Sequence, residues 1–141
     1  MIDLPKAAFL IAAALAGPTV AQSADDKAAG LDCANAMTTR DMAECAKQDW
    51  QSADDALNAA YREAVERARQ IDGANEPDGA ASTEAALRAA QRDWVSFRDS
   101  ACEAETRVYG AGTMAPIVGF SCRERLTRQR TEDLTEFGAS L

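Results

Sequence analysis

The four cysteines are the residues whose type and spacing most directly indicate chemistry. They stand at Cys33, Cys45, Cys102 and Cys122 in a chain of 141 residues. An even number of cysteines in a short exported chain is typical of a disulfide framework, and four cysteines allow three pairings that sequence alone does not distinguish. We favour the two local pairs, Cys33 with Cys45 and Cys102 with Cys122, because each closes a short loop and would contribute about 3 kcal/mol in the chain-entropy model.

Other kinds of chemistry find little support in the residue types. The chain has no histidine and no Cys-x-x-Cys pair, which argues against a zinc site and against a dithiol redox centre. Without histidine the usual general base is missing, and a serine or cysteine nucleophile has no such base to activate it. No spacing marks the paired carboxylates of a glycosidase, and no glycine-rich phosphate-binding pattern is present. We therefore predict no enzymatic activity, no metal and no cofactor.

The charge of the chain restricts its partners. The formal net charge is -8 and the isoelectric point is near 4.5. This charge argues against nucleic acid and against an anionic membrane surface, whereas it is compatible with a cationic protein partner. The alternative is that the acidity serves solubility alone.

The N-terminal residues resemble a signal peptide. Lys6 precedes an apolar run at residues 7–15, and the small residues at 19–21 offer a cleavage site after Ala21. We assign residues 1–21 to the signal peptide; the alternative is a buried N-terminal helix. The acidic, alanine-rich residues 22–32 are predicted to form a disordered spacer. Because Cys33 stands too far behind the apolar run for lipidation, we expect a periplasmic or secreted protein with no membrane anchor after cleavage.

Residues 33–141 are predicted to form an all-α domain, a small antiparallel three-helix bundle that two disulfides cross-link at one end. The first helix is expected from about Thr38 to Gly73 and the second from about Ser82 to Gly110. Ser121 and Glu124 have the spacing of a capping box, which predicts that the third helix begins at Ser121.

Apolar residues recur at helical spacing within each segment and define its predicted inward face. These residues are Met42, Ala46, Trp50, Ala53, Leu57, Tyr61, Ala64, Ala68 and Ile71 in the first helix, Leu87, Ala90, Trp94, Phe97, Ala101 and Ala104 in the second, and Leu126, Leu134 and Phe137 in the third.

Residues 109–120, between the second and third helices, contain three glycines and a proline and are predicted to form an irregular loop. An antiparallel arrangement brings all four cysteines to the end of the bundle from which this loop projects, so the disulfides would rigidify it. Apolar packing alone would hold the rest of the bundle. The candidate binding residues of the loop are Tyr109, Gly110, Gly112, Met114 and Phe120.

A second candidate site is a polar stripe on the second helix. Gln91, Arg98 and Cys102 are spaced so that they share one side of the helix, and Arg92 and Asp99 adjoin them. Such a stripe is either a buried hydrogen-bonded network or a surface that recognises a partner; we favour the structural interpretation.

These residues also form part of an ordered pattern that resembles the lysozyme inhibitor LprI family, a domain also called DUF1311. The pattern runs from Cys33 to about Phe137 and combines the four cysteines with short motifs on each helix. Its members here are Cys33, Thr38, Asp41, Met42, Cys45, Ala46, Ala53, Asp54, Leu57, Asn58, Tyr61, Ala90, Gln91, Arg92, Trp94, Phe97, Arg98, Asp99, Cys102, Cys122, Leu126, Thr127 and Arg130.

The resemblance implies a periplasmic or secreted protein that binds and inhibits a cationic, lysozyme-type muramidase. The namesake of the family is a lipoprotein, and this chain departs from it by lacking the anchoring cysteine. The alternative function is an envelope module, structural or for interaction, that binds a different protein through its polar helix faces and does not inhibit lysozyme.

Overall fold

A computed structural model describes residues 30–75 and 80–139. These residues form three helices, α1 (Thr39–Ala74), α2 (Thr83–Arg107) and α3 (Ala115–Glu136), preceded by a 3₁₀ turn at Cys33–Asn35. The predicted all-α three-helix bundle is confirmed. The predicted signal peptide, residues 1–21, and residues 22–29 of the predicted spacer lie outside the described part of the chain.

The three helices run up, down and up. Asp72, near the end of α1, accepts a hydrogen bond from the backbone N–H of Thr83 at the start of α2. Trp50, in the first half of α1, stacks on Phe120 near the start of α3, with ring centroids 5.9 Å apart. Therefore α2 runs antiparallel to both neighbours, and α1 and α3 run parallel.

Side-chain caps define where α1 and α2 begin. The Thr38 hydroxyl accepts a hydrogen bond from the Asp41 N–H at 3.1 Å, and the Ser82 hydroxyl accepts one from the Ala85 N–H at 3.2 Å. Each bond satisfies one of the backbone donors that a helix leaves unpaired at its N-terminus. Both predicted starts are confirmed to within one residue.

The predicted start of α3 at Ser121 is wrong. The helix begins at Ala115, and Ser121 lies inside it. Pro116 occupies the first turn, where a missing N–H disrupts no helical bond, so it starts the helix rather than preventing it. Gly119 is buried against α2, where a Cβ would lie only 2.7 Å from the Thr106 hydroxyl oxygen, so this close approach favours glycine. The irregular segment is therefore residues 108–114.

The core is rich in alanine, as the composition predicts. Buried Ala60, Ala64 and Ala68 of α1 pack with Leu87 of α2 and Leu134 of α3. Small side chains let the helix axes approach closely and bury little apolar area per residue, so the covalent bridges matter more.

The predicted inward face of α2 is partly wrong. Phe97 is 58% exposed, and Ala90 and Ala104 are also exposed, whereas Arg98 is only 6% exposed. The face that enters the bundle instead passes through Leu87, Trp94, Arg98 and Cys102. Met42 of α1, also predicted to face inward, is 40% exposed.

Apolar packing is not the only force at the end of the bundle opposite the cysteines. Arg67 of α1 donates to the carbonyl oxygens of Leu134 at 2.7 Å and Phe137 at 2.8 Å, which are unpaired acceptors at the C-terminus of α3. Asp72 of α1 accepts from the N–H groups of Thr83 at 2.7 Å and Glu84 at 3.0 Å, at the N-terminus of α2. Helix α1 thus holds an end of each of the other two helices.

Candidate functional site

Both disulfides lie at the end of the bundle where α1 begins and α2 ends, which we call the cysteine end. Cys33 is bonded to Cys45 and Cys102 to Cys122, with Cα–Cα distances of 5.6 and 5.5 Å. The favoured local pairing is confirmed. Cys102 of α2 and Cys122 of α3 are fully buried. Their disulfide fixes α2 against α3 at a level about two helical turns from the segment that connects the two helices.

That connection, residues 108–114, is the tip of the cysteine end. It is a chain of tight turns in which the N–H groups of Tyr109, Gly110 and Gly112 donate to carbonyl groups three residues earlier, at 3.0 to 3.1 Å. Gly110 has a positive φ of 56°, a conformation that other residues adopt only with strain. These hydrogen bonds and the conformation of Gly110 therefore restrain the backbone of the tip.

The tip exposes apolar side chains and carries no charged residue. Val108 is 81% exposed, Tyr109 47% and Met114 43%. Tyr109, Gly110, Gly112 and Met114 of the predicted loop all lie here. Phe120 does not, because it belongs to α3 and its ring stacks on Trp50. The sequence reasoning overlooked Val108, although it directly precedes Tyr109.

A shallow groove adjoins the tip. Its walls are the first turns of α1, including Arg40, Asp41 and Glu44, and the start of α3, including Pro116; Leu31 and Thr113 also line it. Side chains of both charges and apolar side chains thus stand next to the tip.

The predicted polar stripe divides between the interior and the surface. The buried Arg98 guanidinium lies 5.2 Å from the Trp94 ring and 5.8 Å from the Trp50 ring. It donates to Asp54 of α1 at 3.1 Å and to neighbouring Asp99 at 3.0 Å. This buried cation is therefore paired, hydrogen-bonded and enclosed by aromatic faces, which are the conditions under which an interior charge is tolerated.

The other members of the stripe have different surroundings. Gln91 is half-buried and accepts a hydrogen bond from Arg130 of α3 at 3.1 Å. Asp99 is largely exposed and also pairs with Arg123 of α3 at 3.8 Å, whereas Arg92 is exposed. Arg98 and Gln91 thus join α2 to its two neighbours. Sequence reasoning did not connect Asp54 with Arg98, since nothing in the spacing along α1 identifies a partner on α2.

Within residues 30–75 and 80–139, no group of three or more potential metal ligands is present. In the same part of the chain, no helix is long and apolar enough to cross a membrane.

Comparison with known proteins gives a consistent result. The chain is 37% identical over 107 residues to the uncharacterized protein R02472 of Rhizobium meliloti (strain 1021), covering 74% of this chain and 77% of that protein. It is also similar to the crystal structure of a DUF1311 family protein from Pseudomonas putida KT2440, with a TM-score of 0.63 and 28% identity over 74% of this chain and 97% of that one. Residues 32–134 match the model of the family described as lysozyme inhibitor LprI. The four cysteines, the helical bundle around Arg98 and these similarities together place the chain in the lysozyme inhibitor LprI family.

Proposed function

We propose that this protein binds and inhibits a cationic, lysozyme-type muramidase outside the cytosol, and that the tip at residues 108–114 is the contact surface. The family supports the class of target, since its description names an inhibitor of lysozyme. The observation that carries the proposal is the exposure of Val108, Tyr109 and Met114 on a backbone that turns, helices and a disulfide hold in place.

A surface of this kind favours binding to a cleft. Exposed apolar and aromatic side chains provide the central contacts of most protein interfaces, and tyrosine is among the residues enriched there. Because the backbone of the tip is already fixed, little conformational entropy is lost when it is inserted into a partner.

The charge of the chain contributes in a different way. The tip is neutral, so the net charge of -8 acts over the whole molecule rather than at the contact. Such a field steers a cationic enzyme toward the inhibitor and raises the association rate more than it strengthens the final complex.

Two disulfides fit an oxidising compartment, which is where a muramidase acts on the cell wall. We therefore propose a periplasmic or secreted location, reached by way of the signal peptide at residues 1–21. The absence of enzymatic activity remains our prediction.

The decisive experiment replaces the exposed tip residues. We expect Y109S/M114S to weaken binding to a chicken-type lysozyme about tenfold or more, because interface truncations of this kind remove central contacts. The dissociation constant is measured by calorimetry or surface plasmon resonance. The matched control is Val95→Ser on α2, an exposed apolar residue outside the tip, which should bind as the wild type does. Equal binding by the wild type and by the folded Y109S/M114S variant would exclude the tip as the contact.

A further inference from the structure

Helix α2 carries a second apolar face that the bundle leaves uncovered. Phe97 is 58% exposed and Val108 81%, and the alanines between and before them are exposed or half-buried. At about 100° per residue, all these positions fall within a sector of about 60° on the helix surface. The stripe consists of Ala86, Ala90, Phe97, Ala101, Ala104 and Val108.

Two charged residues accompany one edge of this stripe. Asp93 is exposed and makes no ion pair within the described part of the chain, whereas Arg107 is 77% exposed by its side chain and pairs only with Glu103 of its own helix. Asp93 and Arg107 lie at equal distances on either side of Ser100. The carboxylate of Asp93 is therefore available to pair with a cation of a partner that covers this stripe.

We propose that this stripe binds a second copy of the chain, so that two α2 helices pack antiparallel about a twofold axis near Ser100. In that register Asp93 of each copy lies opposite Arg107 of the other, which forms two symmetry-related ion pairs. The bulky Phe97 then faces Ala104 and Ala101 of the second copy, and Val108 faces Ala90. The face is therefore complementary to itself in both shape and charge, as a twofold interface requires.

The composition of the stripe favours this occupant over a membrane surface. Its four alanines let two helix axes approach closely, and large residues stand opposite small ones. The net charge of -8 opposes binding to an anionic bilayer. One helix from each copy buries a modest area, so the dimer should be reversible and dependent on concentration.

The dimer shares only Val108 with the proposed contact surface for inhibition. Antiparallel α2 helices place the two tips at opposite ends of the assembly, where Tyr109 and Met114 lie beyond the paired segment. The two proposals are tested by different variants, Y109S/M114S for inhibition and Phe97→Asp for the dimer, so the failure of either one is distinguished from the failure of the other.

Sedimentation velocity on the purified, oxidised protein over a wide range of concentrations tests the proposal. We expect reversible dimerisation of the wild type and a dissociation constant about tenfold or more weaker for Phe97→Asp. Asp93→Arg and Arg107→Asp should each weaken the dimer through like-charge repulsion, and the double variant D93R/R107D should restore it. The control Arg92→Asp changes an exposed charge away from the stripe and should have no such effect.

Circular dichroism verifies that every variant is folded, which is expected because Phe97, Asp93 and Arg107 are exposed. A wild type that stays monomeric at all concentrations would overturn the proposal. So would an unchanged dimer in folded Phe97→Asp, or a D93R/R107D variant that remains as weak as the single variants.

Discussion

Among single residues, Arg98 has the most unusual environment. A guanidinium normally stays at the surface, yet this one is enclosed by the rings of Trp50 and Trp94 and paired with Asp54 on the neighbouring helix. Asp54 and Asp99 keep partial contact with water, which limits the desolvation cost of the pairs. The arrangement fixes α2 against α1, so Arg98 belongs to the framework of the fold.

This interpretation predicts separate effects on stability and on binding. Arg98→Ala should lower the free energy of unfolding by about 2–3 kcal/mol, because it removes packing between two indole rings and leaves Asp54 without its cation. Urea denaturation measures the loss, and the exposed Arg92→Ala should change stability by less than about 0.5 kcal/mol. If Arg98→Ala instead unfolded with the same free energy as the wild type but no longer bound lysozyme, Arg98 would belong to a recognition surface.

Two helical glycines should respond in opposite ways to alanine. Gly73, in the last turn of α1, has open space around its Cβ position, so Gly73→Ala should stabilise the protein by about 0.5 kcal/mol. Gly119→Ala should destabilise the protein by about 1 kcal/mol or more, because the new methyl group clashes with the Thr106 hydroxyl. That hydroxyl is held in place by the hydrogen bond it donates to the Cys102 carbonyl oxygen.

Thermal unfolding of both alanine variants measures the two changes. Adding Thr106→Ala to Gly119→Ala should recover part of the loss. If Gly119→Ala proved as stabilising as Gly73→Ala, the close approach of α2 and α3 at this point would be refuted.

At the scale of elements, α1 organises the end of the bundle opposite the cysteines. Hydrogen bonds from the backbone N–H of Glu84 and from Thr83 lower the pKa of Asp72. Ion-paired hydrogen bonds from Arg69 and Arg88 lower the pKa of Glu84. A carboxyl group with a lowered pKa in the folded state stabilises the fold above its unfolded pKa, near 4, and this stabilisation is lost as the pH falls through the folded value.

We therefore expect Asp72→Asn to lower the urea midpoint at neutral pH. The amide accepts hydrogen bonds less strongly than the carboxylate and lacks its charge at the N-terminus of α2. The gap between wild type and variant should be smaller at acidic pH than at neutral pH, because the stabilisation is lost as the pH falls through the lowered folded pKa of Asp72. A gap of the same size at both pH values would show that Asp72 does not act through its charge.

The elements differ in how far the sequence predicts them. The caps and the 3.6-residue periodicity locate α1 and the start of α2, because these signals are local. The start of α3 was missed because Pro116 and Gly119 usually interrupt helices, and only the proximity of Thr106 explains the glycine. The predicted inward face of α2 includes Phe97 because the prediction places apolar residues inside. The residue that the structure buries there is Arg98, and its partner Asp54 is too distant in sequence for a local pattern to reveal.

At the scale of the whole molecule, family membership carries more information about fold than about function. The residues of the family pattern that the structure buries, such as Arg98, Leu57 and the disulfide Cys102–Cys122, hold the helices together. The tip at residues 108–114 enters that pattern only as a glycine-containing loop in which no residue is specified. The proposed contact surface is therefore the part of this chain that the resemblance specifies least, and the proposal rests on exposure and backbone geometry.

Inhibition of a chicken-type lysozyme by the purified, oxidised protein, measured at low and at high salt, tests the central claim most directly. Our account predicts inhibition that weakens as salt rises, because the net charge of -8 steers a cationic enzyme and salt screens that attraction. The absence of inhibition at both salt concentrations would contradict the account. It would remove this class of enzyme as the target and favour an envelope module with a different protein partner.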